Sequence, residues 1–511
     1  MTAAFLVALP SGLVVSGVAS WAVRLLGALV ARGRPCGLIL HASPARHPPL
    51  AIDLDPRIRV TDLRDRPPLE DAGGEVDAFV APYAHAAATL AAEARGVVIS
   101  PNLLGDCYAI AARAAQAQPA ARIVGWLHSD IPYEYHVQAH FAPIISRFVP
   151  ASRTLERTLA SRLPDRAGDI VRIPHGVEMP GAIPVRPAYP GRPLRLVYAG
   201  RLDHTPKRVL ALVAASDALT RRGFSHELAI VGDGPATPDV ERAIRGKPAI
   251  VRLHAQPPAR VLGLLAHADV ALLASTFEGL SLAVIEAMSR GCVPVVTRTD
   301  SGDELIDDGV SGVIVDAGPE QPIAAVGEQL ASGIERAAGD LARLRTGAFE
   351  RARGAFAIDR QADAVGRLLD DVALGPARTW PAERPCAFAG AGGGSVPPAG
   401  EVRLRAVLAG LSGRALAVHG TGRHTIELRH VLEPLAHAPA GATRIVAFID
   451  DDPARQGGTL WGVPVVAPER AGESGATDVV VSSWINQRAI LSRRRVYEGQ
   501  GLRVHAIYPG E

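Results

Sequence analysis

Two glutamates flank an apolar run in the middle of the sequence. Residues 275–288 read STFEGLSLAVIEAM and place Glu278 and Glu286 eight positions apart. One interpretation is local, because Ser275 followed three positions later by Glu278 fits a capping box at the start of a helix. The other interpretation is that both acids belong to a binding site for a phosphorylated sugar.

The residue after the first glutamate favours the binding site. Gly279 directly follows Glu278 and disfavours an uninterrupted helix at that point. The helix is therefore predicted to begin near Leu280 or Ser281, with Glu278 in the preceding loop and Glu286 in the second helical turn. N–H groups at the start of a helix have no partner inside it and attract anions, particularly phosphate. Gly279, Leu280 and Ser281 are thus expected to donate to a phosphate group.

A phosphate site needs cations, and lysine is scarce in this chain. It occurs only at positions 207 and 247, so a lysine at any chosen position has a chance of roughly 0.4%. Lys207 and Arg201 both lie in RLDHTPK, directly after an apolar run that reads as a strand. Cations pair with phosphates, and carboxylates accept hydroxyl hydrogens. The acids and bases together predict a site for a nucleoside diphosphate joined to hydroxyl-rich groups.

The elements around these side chains must bring them to one edge of the fold. Along the sequence, short apolar runs typical of strands alternate with segments of helical periodicity. The first series predicts strands at 5–9, 37–40, 78–82, 96–100, 122–127, 147–150 and 169–174. The second predicts strands at 194–200, 227–234, 249–254, 269–275, 293–298 and 312–316. Helices are predicted between them, among them 84–95, 105–117, 281–290 and a last one over about 350–372. Such alternation is typical of parallel sheets, whose ligands bind beyond the carboxyl ends of the strands.

The length of 511 residues indicates about three domains. Residues 178–193 and 376–401 are rich in Pro and Gly, which is typical of linkers. We predict an α/β fold with Rossmann-like domains over residues 1–180 and 190–375. A flexible linker over 376–401 then leads to a small Rossmann-like α/β domain over 402–511.

Composition and charge narrow the classes of function. A net charge of +2 creates no global field that would attract nucleic acid. Four cysteines lie far apart without metal-binding spacing, which predicts reduced thiols in the cytoplasm. The apolar residues 3–31 lack leading positive charges and are interrupted by Pro10, Gly12 and Arg24. They predict a strand, a glycine turn and a helix rather than a signal peptide or a membrane span.

Five blocks of the second series carry a family resemblance. They read GRLDHTPKRV, ELAIVGDGP, VRLHAQPPARV, ADVALLASTFEGLSLAVIEAMSRGCVPVVT and DELIDDGVSGVIV. They resemble the signature segments of retaining GT-B glycosyltransferases, and most of all the large family 4 (group 1) of bacterial sugar transferases. The match in order and spacing covers roughly residues 5–372. It implies two facing Rossmann-like domains, the first on the acceptor side and the second binding the nucleotide-sugar donor.

The resemblance implies roles for the acids and bases. Arg201 and Lys207 resemble the pair that binds the diphosphate, and the amides of 279–281 would meet the same phosphates. Glu278 resembles the acid that holds the donor sugar, and Glu286 the acid that binds the ribose. These roles place Glu278, Arg201 and Lys207 among the catalytic residues.

Other donor contacts are also implied by the resemblance. Main-chain groups of Leu253 and His254 lie where the family reads the nucleotide base. Gly12 and Gly17 approximate the glycine turn near the phosphates, although the usual adjacent pair is not intact. His128, in GWLHSD, resembles the catalytic histidine that contacts the reacting sugar, and a structural histidine is the alternative.

One further segment departs from the family pattern, and another leaves two interpretations open. DSGDEL replaces the usual double glycine before Glu304, so this residue is assigned a minor role. HSDIPYEYH (128–136), with Tyr133, Tyr135 and His136, indicates either an acceptor pocket or a packed aromatic turn.

The implied reaction is sugar transfer to a hydroxyl acceptor with the anomeric configuration retained. The sequence places no carboxylate as a covalent nucleophile, so we favour front-side displacement in which the leaving phosphate helps to deprotonate the acceptor. Cationic side chains and helix dipoles would stabilise the leaving diphosphate, and no metal or cofactor is required.

The tail contains a second and weaker glycine motif. VHGTGRHTIEL carries Gly420 and Gly422 but has Thr425 where a dinucleotide fingerprint has its third glycine. Asp450 ends the next predicted strand, and this order of elements predicts a nucleotide site. The segment FIDDDPARQGGTLWGVPVVAPE (448–469) resembles the small Rossmann-like domains attached to sugar acyltransferases and nucleotide-sugar enzymes of polysaccharide pathways. A docking module is the alternative. A metal-binding DxD motif at 450–452 is disfavoured because these acids close a Rossmann-type strand.

The leading hypothesis is a cytoplasmic glycosyltransferase of glycan, polysaccharide or glycolipid biosynthesis. Its partners would be a nucleotide sugar and a sugar or lipid-linked acceptor, and no nucleic acid. A lipid-linked acceptor would bring the protein to the inner membrane face as a peripheral protein. Two rivals remain: a GT-B-fold nucleotide-sugar epimerase or hydrolase, and a non-catalytic nucleotide-sugar-binding scaffold.

Overall fold

A computed structural model describes residues 2–14, 16–43, 52–69, 76–204, 206–299, 301–318, 321–381, 386, 400–453, 455–484 and 486–508. Much of the predicted linker, at 382–385 and 387–399, lies outside the described residues. The chain divides into two compact units. They are Met1–Asp130 with Glu134–Cys386, and Ile131–Tyr133 with Ala387–Glu511.

The first sheet contains β1 (Ala4–Leu9), β2 (Cys36–His41), β3 (Arg59–Leu63), β4 (Val97–Ser100), β5 (Ala121–Leu127) and β6 (Ile145–Pro150). Its helices are α1 (Gly17–Ala31), α2 (Asp77–Ala91), α3 (Gly105–Ala117), α4 (Pro132–Phe141) and α5 (Arg153–Arg162). All its strands are parallel, in the order β3-β2-β1-β4-β5-β6. β1, β2 and β4 are buried along their whole length, which is why they read as continuous apolar runs.

The second sheet repeats this architecture. Its strands are β7 (Leu194–Ala199), β8 (His226–Val231), β9 (Ile250–Leu253), β10 (Val270–Leu273), β11 (Val293–Thr297) and β12 (Val313–Val315). The order is β12-β11-β10-β7-β8-β9, again parallel, and it reverses between β7 and β10. Ligands of such sheets bind beside this reversal point. The helices are α6 (Leu210–Arg221), α7 (Thr237–Ala243), α8 (Pro258–His267), α9 (Leu282–Ser289), α10 (Gly302–Leu305), α11 (Ile323–Gly339), α12 (Leu341–Ala355) and α13 (Ile358–Leu374).

The tail forms a third sheet. Its strands are β13 (Ala415–His419), β14 (Arg444–Ile449), β15 (Thr459–Leu460), β16 (Val463–Val466), β17 (Asp478–Val481) and β18 (Arg503–Ala506). The order is β15-β16-β14-β13-β17-β18, and only the pair β15–β16 is antiparallel among the described strands. The helices are α14 (Gly400–Ala409), α15 (Arg423–Glu427), α16 (Arg429–Ala436), α17 (Gln487–Leu491) and α18 (Arg495–Glu498). The predicted α/β class with three Rossmann-like sheets is thus confirmed.

The strand predicted over 78–82 is wrong, because these residues lie inside α2. A short apolar run does not by itself distinguish a strand from a buried helix, and the alanine-rich residues that follow favour the helix. Pro82 lies within α2 and cannot donate to the carbonyl of Ala78. The side chain of Arg66 donates to that carbonyl instead.

Two other element predictions need correction. The segment 169–174 forms no regular strand: Ile170 makes a single bridge to Phe148 at the edge of β6. Regular pairing cannot extend, because Pro150 lacks an N–H group to return a bond. The helix predicted over 350–372 is split into α12 and α13 at Phe356–Ala357. There the carbonyl of Phe356 accepts from the N–H of Val177, and the N–H of Ile358 donates to the carbonyl of Val177.

The helices predicted over 105–117 and 281–290 are confirmed as α3 and α9. Within the described part of the chain, none of the helices combines the length and the apolar character needed to cross a bilayer.

Candidate active site

The loop between β10 and α9 holds the first predicted acid. β10 ends at Leu273 and α9 begins at Leu282, so Glu278 lies in the loop and Glu286 in the helix, as predicted. The capping-box interpretation is wrong, because Ser281 is the residue that precedes the helix. The hydroxyl of Ser275 instead donates to Oε1 of Glu278 at 2.6 Å.

Lys207 contacts Glu278 directly. Its Nζ lies 2.5 Å from Oε1 of the carboxylate, and the two side chains are only 23% and 12% exposed. The backbone joins the same two loops, because the N–H of Thr276 donates to the carbonyl of Pro206 at 2.9 Å. The scarce lysine and the predicted sugar-binding acid therefore share one mostly buried position, where charge interactions are stronger than in water.

Arg208 braces the loops that carry this pair. Its buried guanidinium donates to the carbonyls of Ala274 (2.6 Å), Gly318 (2.8 Å) and Ala317 (3.1 Å). Burial lowers the pKa of Arg208 to about 10, so the side chain stays protonated at neutral pH. Arg208 thus fixes the residue after Lys207 to the carboxyl ends of two strands.

We expect the Arg208→Ala variant to lose about 3 kcal/mol of unfolding free energy, because several buried carbonyls would lose a charged donor. Urea unfolding followed by circular dichroism measures the change. Arg298→Ala is the matched control: Arg298 is 47% exposed and pairs with the exposed acids Asp303 and Asp316, so its removal should shift stability by no more than about 0.5 kcal/mol. Equal midpoints for the two variants would contradict the bracing role.

The other predicted cation, Arg201, lies just past the end of β7. Its Nε donates to Asp203 at 2.5 Å, and about half of its side chain is exposed. Its carbonyl accepts from the hydroxyl of Tyr198 at 2.7 Å, which fixes the backbone of this loop. Arg201 is therefore anchored but accessible to a ligand.

Asp233 holds the loop predicted to read the base. Its carboxylate accepts from the N–H of Ala255 at 2.8 Å and contacts Nδ1 of His254 at 3.0 Å. The carbonyls of Leu253 and His254 already accept from the N–H of Gly232 (2.9 Å) and Nε2 of Gln256 (3.0 Å). A carbonyl has two lone pairs, so both can accept a second bond from a ligand.

The two sheets of the first unit meet at the predicted glycines. A Cβ on Gly279 would lie 1.9 Å from the carbonyl oxygen of His128, so only glycine allows the loop after β10 to approach β5 this closely. A Cβ on Gly17 would lie 3.7 Å from Leu282. The N-termini of α1 and α9 are therefore neighbours. Gly12 has φ +69°, and a Cβ there would lie 2.6 Å from the carbonyl of His41.

His128 is buried at the end of β5 among aromatic rings. Its ring lies edge-on to Trp21, with centroids 4.6 Å apart, and stacks on His175 at 5.5 Å. Burial, and then the neighbouring His175, hold the pKa of His128 well below its usual range. Burial likewise lowers the pKa of His175 to about 3. Both imidazoles are therefore neutral at physiological pH.

Glu134 fixes the backbone of His128. One carboxylate oxygen, Oε2, accepts from the N–H groups of His128 (2.7 Å) and Ser129 (3.1 Å). Burial raises the pKa of Glu134 to about 7, although the two donors oppose the shift. Glu134 belongs to α4, so the segment 132–136 is helical rather than an aromatic turn. The hydroxyl of Tyr135 donates to Asp130 at 2.7 Å within this region.

Glu286 and Glu304 both reach across to the first sheet's helices. Oε1 of Glu286 accepts from Nη2 of Arg24 at 2.6 Å, and both side chains are mostly buried. Glu304 accepts from Nη1 of Arg172 and from the backbone N–H of Arg153, each at 2.6 Å. Glu304 therefore binds an N–H group in the first turn of α5, which Ser152 caps. Glu286 lies in α9, where the ribose is predicted to bind.

The tail brings its three predicted residues together. Gly420 has φ +114°, and a Cβ there would lie 2.7 Å from the carbonyl of Ser482. The N–H of Thr421, between Gly420 and Gly422, donates to Oδ2 of Asp450 at 3.1 Å. Arg455 donates to the same oxygen at 3.3 Å. The glycine turn and Asp450 thus form one cluster at the carboxyl ends of β13 and β14.

The three consecutive acids of the tail do not converge. Asp451 is bound by Arg493 at 2.5 Å and lies 3.5 Å from His419, whereas Asp450 faces the glycine turn. Across the described residues, no group of three His, Cys, Asp or Glu side chains is arranged to hold a metal ion.

Three site residues escaped the sequence analysis: Arg24, Asn102 and Glu134. Asn102 lies two residues past the end of β4, and its Oδ1 is 3.3 Å from Nε2 of His128. Glu134 and Arg24 lie in helices and act through partners that the local pattern does not identify.

The chain resembles known glycosyltransferases in sequence. Residues 193–332 match the sequence model of the family described as glycosyl transferases, group 1. A GDP-mannose-dependent alpha-(1-6)-phosphatidylinositol dimannoside mannosyltransferase from Mycobacterium tuberculosis is 36% identical over 163 residues, which are 31% of this chain and 41% of that protein. The alpha-D-kanosaminyltransferase of Streptomyces kanamyceticus is 29% identical over 24% of this chain and 32% of its own length. The chain thus spans about two fifths or less of these relatives.

Solved structures are similar in fold to most of this chain. Sucrose-phosphate synthase from Thermosynechococcus elongatus superposes with a TM-score of 0.57 at 17% identity, covering 72% of this chain and 98% of that chain. Anabaena HepE, solved in complex with UDP and glucose, gives 0.55 at 17% identity, covering 72% and 99%. The predicted GT-B fold, and the resemblance to group 1 glycosyltransferases over residues 193–332, are confirmed.

Proposed function

We propose that this chain is a retaining glycosyltransferase that moves a sugar from a nucleoside-diphosphate sugar to an acceptor hydroxyl. The observation that carries the proposal is the 2.5 Å contact of Lys207 with Glu278, one residue from the glycine that abuts His128. Relatives that are a mannosyltransferase and a kanosaminyltransferase support it, as does the family match over 193–332.

The donor would occupy the edge where these residues meet. Arg201 and Lys207 would neutralise the diphosphate, with the amides of 279–281 as further donors. Lys207 and Ser275 both donate to Oε1 of the Glu278 carboxylate, so Oε2 would accept from a hydroxyl of the sugar. Glu286 would accept a hydrogen bond from a ribose hydroxyl while it remains bonded to Arg24.

Other donor contacts would come from the surrounding loops. Main-chain groups of Leu253 and His254 would read the base. Gly12 and Gly17 would let the first domain approach the phosphates closely, and His128 would contact the reacting sugar.

The proposed reaction is front-side displacement. The bond between the anomeric carbon and the diphosphate oxygen breaks while the acceptor oxygen bonds to the same face of that carbon. The acceptor proton passes to the departing phosphate, and the configuration is retained. Trapping a glycosyl ester on Glu278 or Asp130 would instead show a covalent intermediate.

No metal ion or cofactor enters this proposal. The positive charge that stabilises the leaving diphosphate would come from Arg201 and Lys207, helped by the N-terminus of α9. The lysine is held only 2.5 Å from Glu278, so it is positioned before the donor binds.

Sugar transfer differs from donor hydrolysis and epimerisation because only transfer needs an acceptor. We expect labelled sugar from a panel of UDP-, GDP-, ADP- and dTDP-sugars to appear on an added glycoside or lipid acceptor, as a covalent product seen by mass spectrometry. Nucleotide release that is equally fast without acceptor would indicate a hydrolase. Conversion of the donor sugar to its epimer would indicate an epimerase. A donor that binds but never turns over would indicate a scaffold.

We also propose a cytoplasmic site of action in glycan, polysaccharide or glycolipid synthesis. Three of the four cysteines, Cys36, Cys107 and Cys292, are buried as free thiols, which suits a reducing compartment. A lipid-linked acceptor, as in the name of the mycobacterial relative, would bring the protein to the inner membrane face.

For the tail we propose a second nucleotide or nucleotide-sugar site at Gly420, Gly422 and Asp450. Its support is the bond between the Thr421 N–H and Asp450, which closes the turn against the acid. We expect the full chain to bind one more nucleotide sugar in equilibrium dialysis than its Asp450→Ala variant. Equal binding stoichiometry in the wild type and Asp450→Ala would indicate that the tail is a docking module. The Lys207→Ala variant should lose the donor site of the first unit instead.

A further inference from the structure

We propose that Asn102 is a positioning residue that fixes which ring nitrogen of His128 carries the hydrogen. The inference deepens the proposed function and rests on it, since His128 is there the group that contacts the donor sugar. The tautomer decides whether His128 can accept a hydrogen bond from a hydroxyl of the donor sugar.

Asn102 is fully buried between three strand ends. Its Nδ2 donates to the carbonyl of Ala8 in β1 at 3.1 Å, and its Oδ1 accepts from the hydroxyl of Ser100 in β4 at 2.9 Å. A backbone carbonyl can only accept, so the amide atom that faces Ala8 must be the nitrogen. The network therefore determines the orientation of the amide and leaves Oδ1 towards His128.

The orientation of the amide decides the tautomer of the imidazole. Nε2 of His128 lies 3.3 Å from Oδ1 of Asn102. Oδ1 cannot donate, so the hydrogen of this contact must be on Nε2. A neutral imidazole carries one hydrogen, and Nδ1 is then a bare acceptor.

The bare nitrogen has no partner in the described parts of the chain. Nδ1 of His128 is buried and accepts no hydrogen bond there. A lone pair attracts an O–H or N–H group and repels a phosphate oxygen. Through Asn102, His128 is thus set to accept from a hydroxyl of the sugar rather than to bind the diphosphate.

The backbone at this position is unusual. Asn102 and Leu103 have φ +54° and +50°, a region that L-residues with side chains rarely adopt and that Asn tolerates best. Two such residues in succession carry strain, which persists where the surrounding structure holds it. The strained turn brings the amide to the end of β5.

The groups that act on the His128 ring come from four elements. His175 stacks on it from the segment after β6, and Arg24 of α1 lowers the pKa of His175. Glu134 of α4 binds the backbone N–H, and the loop after β10 approaches the carbonyl. None of these is a hydrogen-bond acceptor bonded to the ring, so Asn102 alone among the described residues sets the tautomer.

The direct test is spectroscopic and requires no turnover. In ¹⁵N-histidine-labelled protein, long-range ¹H–¹⁵N correlations report which ring nitrogen is protonated, and His128→Asn identifies the resonance. We expect the Nε2–H tautomer in the wild type. Asn102→Gly, which tolerates positive φ, should move population to the other tautomer. A wild-type Nδ1–H tautomer, or signals unchanged in Asn102→Gly, would overturn the proposal.

Asn102→Asp supplies a kinetic readout that loss of structure alone would not give. A carboxylate beside Nε2 raises the pKa of His128, so the ring is charged at low pH and lacks its lone pair. The ratio of variant to wild-type kcat/KM should rise about tenfold per pH unit below that raised pKa and then level off. A ratio that does not change with pH would contradict the assignment.

The two tests fail independently. Absence of sugar transfer by the wild type, with the Nε2–H tautomer present and dependent on Asn102, would refute the proposed function alone. Transfer by the wild type, with spectra that Asn102→Gly leaves unchanged, would refute the positioning role alone.

Discussion

The Lys207→Ala variant should lose about 10²- to 10³-fold in kcat/KM for sugar transfer, because removing one preorganised charge at a developing anion costs about 2.7–4 kcal/mol. The physical reason lies in the position of Nζ, 2.5 Å from Glu278 in a mostly buried site. Steady-state kinetics with a labelled donor measure the change.

The chain provides an unusually close control for this variant. Its only other lysine, Lys247, also pairs with a carboxylate, since its Nζ lies 2.5 Å from Asp217. Lys247→Ala removes the same side chain from the same kind of ion pair, away from the site. We expect it to leave kcat/KM within about twofold. Equal losses in both variants would mean that charge or stability, rather than position, explains the effect.

The second large effect is expected for Glu278→Gln, which keeps the shape of the side chain but removes its charge. Transfer should fall about 10²-fold in kcat/KM, since a hydrogen bond to a charged group contributes about 1.5–3 kcal/mol. Ser275→Ala removes only the hydroxyl that donates to Oε1, and its loss should be tenfold or less. A larger loss in Ser275→Ala than in Glu278→Gln would contradict the role of the carboxylate.

The order of these effects follows from what each side chain can reach. Lys207 and Glu278 are both mostly buried, and their side chains contact each other. The loops that carry them are also joined by the hydrogen bond from the N–H of Thr276 to the carbonyl of Pro206. Arg201 is half exposed and bound to Asp203, so it must leave or share that partner to meet a phosphate. We therefore place the largest losses at Lys207 and Glu278.

Local sequence signals were sufficient to predict the residues at the centre of the candidate site. The glycine after Glu278 placed the helix start within two residues of Leu282, where α9 begins. The rule that ligands bind beyond the ends of parallel strands led to Arg201, Lys207 and Glu278. These features depend on neighbours in sequence, so single-sequence reasoning can reach them.

Contacts between distant segments were not accessible in this way. Arg24 pairs with Glu286 across 262 positions, and an arginine in an apolar helix gives no sign of its partner. β3 was missed because most of its residues are exposed and show no apolar pattern. Asn102 differs, because it lies only two residues past the end of β4, and searching the strand ends of the first series for polar residues would have found it.

Stabilisation by nucleotides tests the central claim most directly, since it requires neither the acceptor nor the right sugar. At a hundred times its dissociation constant, a nucleoside diphosphate or nucleotide sugar should add about 2.7 kcal/mol to the stability of the wild type. Thermal unfolding of the full chain with UDP, GDP, ADP, dTDP and their sugars measures this, with Asp450→Ala added to each protein to remove the proposed tail site. We predict that at least one ligand stabilises the wild type and Lys247→Ala but much less so Lys207→Ala. Equal stabilisation of all three proteins, or of none by any ligand, would contradict a donor site at Lys207 and Glu278.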